Sequence, residues 1–126
     1  AYIREGVYHD PDRCAELTRE LLRLPEPPTC ILMPDDFSSI GGRNAIHRMD
    51  LRLPEDISVA GYDGIQIASV MSPALTTYRQ DTQALGRTAA AKLIELIEKP
   101  RTALVDRVLI PGHLVEGASV RAIETL

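Results

Sequence analysis

PEDISVAGYDG, residues 54–64, decides how the rest of the sequence reads. Pro54, Glu55 and Asp56 belong to a loop. Ile57 to Gly61 is a short apolar run bounded by turn formers, the pattern of a buried strand. An aromatic, Tyr62, and an acid, Asp63, follow directly, with glycines at Gly61 and Gly64. Those glycines permit tight or unusual backbone angles beside the carboxylate.

Upstream, TCILM (Thr29 to Met33) is a second buried strand, and it too ends on acids, Asp35 and Asp36 in the PDD that follows. Before it, HDPDR starts a helix: Asp10 as cap, Pro11 in the first helical position and Asp12 in the first turn. Cys14, Leu17, Leu21 and Leu24 recur at helical spacing, and PEPP stops the helix. A helix from about Phe37 to Met49 contains Gly41 and Gly42, each disfavoured by roughly 1 kcal/mol relative to Ala, so close packing is expected there. Thr76 to Arg79 is extended. Asp81 caps a long helix to about Glu98, with Leu85, Ala89, Leu93 and Leu96 along one side. Ala1 to Arg4 reads as a short strand, and DRVLIP and HLVEGASV as two more. Strands alternating with helices predict an α/β fold with a parallel, doubly wound sheet. In such sheets ligands bind at the carboxyl ends of the strands, where Asp35 and Asp63 lie. These two acids are read as ligand-facing, and Asp36 as a helix cap.

The 126 residues are 44% hydrophobic and 25% charged, an ordinary globular composition with enough chain for one core. A net charge of -4 argues against a standalone nucleic-acid binder. No apolar run approaches a membrane span, and no signal-peptide pattern opens the chain. The strand-like start at Ala1, without Met, reads as the interior of a longer protein. Cys14 and Cys30 match no metal or redox spacing and read as small buried residues in a reducing compartment. His9, His47 and His113 share no ligand spacing, so no metal and no cofactor are expected.

LPEDISVAGYDG, PALTTYRQD with LGRTAAAKL, and LPEPPTCILMPDD occur in this order in LacI/GalR-type bacterial transcription repressors, which the chain resembles from about Gly6 to Ser119. The resemblance implies the C-terminal part of an effector-binding and dimerisation domain, with a type I periplasmic-binding-protein-like fold and incomplete lobes. Residues from about 81 to 110 would belong to the other lobe, and the DNA-binding helix-turn-helix would lie outside this sequence. It further implies ligand-binding roles for Tyr8, Asp35, Asp63 and Gln80, and dimer contacts at Ile40, Val70 and Met71. The pattern departs from the family at four places: Pro34 stands for a small residue, Asp35 for the usual Asn, Gly64 for a second acid and Gly117 for Arg.

Carboxylates accept hydrogen bonds and an aromatic offers an apolar face, so the expected effector is a neutral sugar. Two acids could serve glycoside hydrolysis, but the resemblance implies binding without turnover and no enzyme. The expected protein is a cytoplasmic homodimer that reaches operator DNA only through its helix-turn-helix, with no membrane association. The alternative is a fragment of a periplasmic or secreted sugar-binding protein of a transport system.

Overall fold

The computed structural model describes residues 1–102 and 107–123. The chain divides into two units: Ala1–Arg79 with the segment from Leu114 onward, and Gln80–His113.

In the first unit, α1 (Pro11–Leu22) begins as its sequence dictates. Asp10 is extended, and its side chain accepts the Arg13 N–H at 2.9 Å; Pro11 occupies the first turn, where no backbone donor is needed. Cys14, Leu17, Thr18 and Leu21 are buried, at i, i+3, i+4 and i+7. Three parallel strands follow, β1 (Cys30–Leu32), β2 (Ser58–Asp63) and β3 (Thr76–Arg79), with Ile31 opposite Val59 and Gly61 opposite Thr77. Helix α2 (Ser39–Arg48) connects the first two, and the short α3 (Gln66–Val70) the next. With β4 (His113–Val115), the sheet order is β1-β2-β3-β4.

Alternation along the strands sorts the sheet's two faces. Ile31, Met33 and Val59 form the core with Cys14 and Leu21 of α1, Ile46 of α2, and Leu75. The two glycines of α2 let these layers close. A Cβ at Gly41 would overlap the Pro11 carbonyl, and one at Gly42 would sit 2.5 Å from Met33 Cε. Side chains of the opposite parity, Leu32, Tyr62 and Tyr78, are exposed, the two tyrosine rings stacking at 5.6 Å between centroids.

A loop residue closes the start of the sheet. Ser119 is fully buried; its Oγ donates to the Val59 carbonyl at 2.6 Å and accepts the Thr76 N–H at 2.8 Å. Its carbonyl accepts the Val59 N–H at 2.8 Å. One serine thus joins β2 to β3 just where their direct pairing begins.

The second unit contains α4 (Thr82–Glu98), whose Asp81 cap accepts the Ala84 N–H at 2.8 Å. No α4 residue is buried, and Leu93, Ile94 and Ile97 are exposed.

Three expectations are corrected. Ala1 to Arg4 forms no strand; the Arg4 guanidinium instead donates to the Ala1 and Ile3 carbonyls. In DRVLIP, Asp106 lies outside the described residues, and Arg107 to Pro111 carry no strand. Cys30 is exposed because it lies on the outward parity of β1, whereas Cys14 is buried. Both thiols are free, and partial desolvation by neighbouring atoms raises the pKa of each. No helix among the described residues is long and apolar enough to cross a membrane.

Candidate functional site

The carboxyl ends of β1 and β2 and the turn before α1 converge. β2 ends at Asp63 with φ 102°, and Gly64 follows at φ 70°. Two successive residues in this sparsely populated region turn the chain sharply at the strand mouth. A Cβ at Gly64 would overlap Arg79, whose Nε donates to the Gly64 carbonyl at 3.0 Å. The second acid of the family pattern therefore has no room here.

The Tyr8 hydroxyl donates to Asp63 Oδ2. This bond to the carboxylate, followed by desolvation and the Asp63 charge, pushes the Tyr8 pKa up to about 12. The Tyr8 ring is exposed and stacks on His9 at 4.4 Å, and His9 in turn meets Phe37 at 5.2 Å. The result is an acid beside a short aromatic wall.

Asp35 lies behind this wall and is fully buried. Its Oδ1 accepts the Ser38 N–H at 2.7 Å, and its Oδ2 accepts the Ser38 hydroxyl at 2.7 Å and the His9 N–H at 3.1 Å. Burial pushes its pKa up, but the donors of Ser38 and His9 outweigh it and hold the carboxyl below its usual value. Every partner donates, so position 35 needs acceptors at both terminal atoms. A carboxylate supplies two and an amide one, which gives a physical reason for Asp in place of Asn.

Asp36 is also fully buried. It accepts the Thr77 hydroxyl at 2.6 Å and the Ile65 N–H at 2.9 Å, tying β3 and the turn after β2 together. Gly61 makes room for it, since a Cβ there would overlap Asp36 Oδ1. The capping role expected of Asp36 is not found: the cap residue of α2 is Ser38, which makes no side-chain cap bond, and Asp35 accepts the Ser38 N–H in the turn that leads into the helix.

Tyr8 and Asp63 therefore meet directly, and Asp35 reaches them through the His9 backbone. Gln80 follows Arg79 in sequence and belongs to the second unit. Ile40 and Met71 are half-buried, Met71 against the core, while Val70 is 74% exposed. Sequence reading passed over His9 and Phe37 as site residues. His9 adopts φ 58°, a conformation no local signal announces. No group of His, Cys, Asp and Glu among the described residues could hold a metal ion.

Residues 2–120 match the family described as periplasmic binding protein-like domain. The chain belongs to this family. Among curated relatives it is 34% identical over 124 residues to the probable HTH-type transcriptional repressor ExuR of Bacillus subtilis (strain 168), covering 98% of this chain and 37% of that protein. It is 39% identical over 101 residues to the ribose operon repressor of Escherichia coli (strain K12), covering 80% of this chain and 30% of the repressor. The chain thus spans about a third of the length of these relatives. They are transcriptional repressors rather than enzymes, and they do not favour the transport-protein alternative.

Solved structures agree in fold. A LacI family transcriptional regulator from Enterococcus faecalis V583 with bound ribose superposes with a TM-score of 0.81 at 28% identity, covering 91% of this chain and 42% of that one. The lac repressor dimer bound to operator and the anti-inducer ONPF gives 0.80 at 31% identity, covering 90% and 39%. The resemblance to LacI-type regulators thus holds in sequence and in three dimensions.

Proposed function

We propose that this chain is the effector-binding and dimerisation portion of a LacI-type, cytoplasmic transcription regulator, and that its effector is a neutral sugar. The observation that carries the reading is the Tyr8–Asp63 pair at the mouth of β2. Because the Tyr8 hydroxyl donates its hydrogen bond to Asp63, both side chains present lone pairs to a ligand rich in hydroxyl donors. The exposed Tyr8 ring supplies an apolar face for the C–H side of a sugar. Asp35 positions that ring from behind by holding the His9 amide. The family resemblance assigns Gln80 a ligand-binding role of its own, and residues from about 81 to 110 belong to the other lobe. The ribose found in the similar E. faecalis structure supports the choice of ligand class.

The whole protein acts as a dimer on operator DNA, which it contacts through a helix-turn-helix beyond this sequence. Val70, Ile40 and Met71 contribute to the dimer contact. Ligand that favours one lobe arrangement shifts operator affinity by its differential binding to the two states.

The test is titration of the isotope-labelled chain with ribose, other neutral sugars and a sugar phosphate, followed by NMR. Shifts of the Tyr8 and Asp63 signals with a neutral sugar, abolished in Asp63→Asn, are expected. Preference for the phosphorylated sugar, or shifts confined to other residues, would overturn the assignment.

A further inference from the structure

The turn that carries Asp63 is held from two sides. Asp63 adopts φ 102° and Gly64 φ 70°. A positive φ is unfavourable for an aspartate and persists only where its surroundings over-determine it. On one side the Arg79 Nε donates to the Gly64 carbonyl at 3.0 Å. On the other, Asp36 brackets the turn. Its N–H donates to the Tyr62 carbonyl at 2.9 Å, and its Oδ2 accepts the Ile65 N–H at 2.9 Å. Tyr62 and Ile65 flank the positive-φ pair, so one residue pins both ends of it.

Asp36 is itself fixed in place. It is fully buried, and its Oδ1 accepts the hydroxyl of the equally buried Thr77 at 2.6 Å. The missing side chain of Gly61 leaves the space that Oδ1 occupies. Asp36 therefore acts on the backbone around Asp63 and meets no ligand itself.

We propose that Asp36 is a positioning residue for effector binding: by pinning the chain before and after Asp63, it aims that carboxylate at the Tyr8 hydroxyl and at the ligand. For the ligand, the inference rests on the sugar-effector reading above. For the geometry, it rests on the Tyr8–Asp63 bond alone.

The experiment compares three variants by NMR titration of Tyr8 ionisation, by ribose titration and by thermal melts. Asp36→Ala removes the bracket. The Tyr8 midpoint should fall from about 12 towards 10. Ribose affinity should weaken about tenfold or more, as for a charge-assisted hydrogen bond lost from the site. Asp36→Asn removes the charge but keeps the bracket. Its amide oxygen accepts the Ile65 N–H while its NH₂ donates to the Thr77 hydroxyl, which accepts as well as donates. The midpoint and the affinity should stay close to those of the wild type. Thr77→Val removes only the bond to β3, and should lower the melting temperature without moving the midpoint. Should Asp36→Ala fail to fold, Ile65→Pro deletes the one N–H at a residue whose φ of -71° suits proline, and should lower the midpoint and the affinity in the same direction. A role in stability alone would lower the melting temperature in Asp36→Ala and Thr77→Val alike and leave the midpoint in place, and that result overturns the proposal. A wild-type chain that binds no neutral sugar overturns the effector reading and with it the effect on affinity, while the Tyr8 midpoint still decides whether Asp36 sets the pair.

Discussion

Helices α1 and α4 start alike and end up in opposite circumstances. Each opens on an aspartate whose carboxylate accepts the backbone N–H three residues on, at 2.9 Å for Asp10 and 2.8 Å for Asp81. Each carries apolar residues at helical spacing. Yet α1 buries Cys14, Leu17, Thr18 and Leu21, whereas α4 buries nothing and leaves Ile97 70% exposed. Caps and periodicity make a helix; only a neighbouring surface makes its stripe a core.

The largest expected difference comes from truncating the two stripes. Leu21→Ala removes a side chain only 7% exposed within the core, and should lower unfolding free energy by about 2–4 kcal/mol in urea titrations. Ile97→Ala in α4 should change it by less than about 0.5 kcal/mol. An equally large loss at Ile97 would mean that α4 has a packing partner in solution, and the contrast would fail.

Glycine substitutions reverse sign between the helices. Gly41→Ala forces a Cβ onto the Pro11 carbonyl and should destabilise by about 1–3 kcal/mol. At Gly86 a Cβ meets nothing within 4 Å, so Gly86→Ala should stabilise α4 by roughly 0.5–1 kcal/mol. Thermal melts followed by helix-sensitive dichroism would register both.

Removing the caps tests the shared feature. Asp10→Ala and Asp81→Ala each delete one cap bond, worth about 1 kcal/mol. The first should appear in global unfolding, because α1 is part of the core. The second should appear only as faster amide exchange in the first turn of α4, and a global loss there would again contradict the contrast.

The smallest effect concerns the lead-in to α1, which Tyr8 anchors to Asp63. Its hydroxyl ionises near pH 12, above the ordinary value near 10. The raised value means the neutral phenol is favoured in the folded state. Its contribution is therefore fully present below about pH 10 and lost as pH rises through 12. In ultraviolet titration Tyr8 should be the late-ionising tyrosine, and Asp63→Asn should bring it back towards 10. An unchanged midpoint in that variant would remove the anchor.

The acids show where sequence reading stopped. Asp35 and Asp36 are adjacent, of one type, and both follow a strand, so nothing local distinguishes their roles. Their partners come from far along the chain: Asp36 binds Thr77 and Ile65, and Asp35 binds the His9 amide. Local sequence therefore does not reveal that Asp36 ties β3 to the turn after β2 instead of capping α2. Gly41 and Gly42, by contrast, were legible as close-packing positions, because a glycine pair inside a helix is unfavourable without a neighbour to require it.

By itself the sequence determined the strand–helix alternation, the caps at Asp10 and Asp81, and the placing of Asp63 at a strand mouth. These depend on residues a few positions apart, whose spacing is fixed by helix and strand periods. The tertiary structure alone decided which carboxylate is buried and which meets Tyr8, and which apolar stripe becomes core. Those outcomes depend on contacts between residues distant in sequence, and burial then requires that a charge such as that of Asp35 or Asp36 find its donors within the fold.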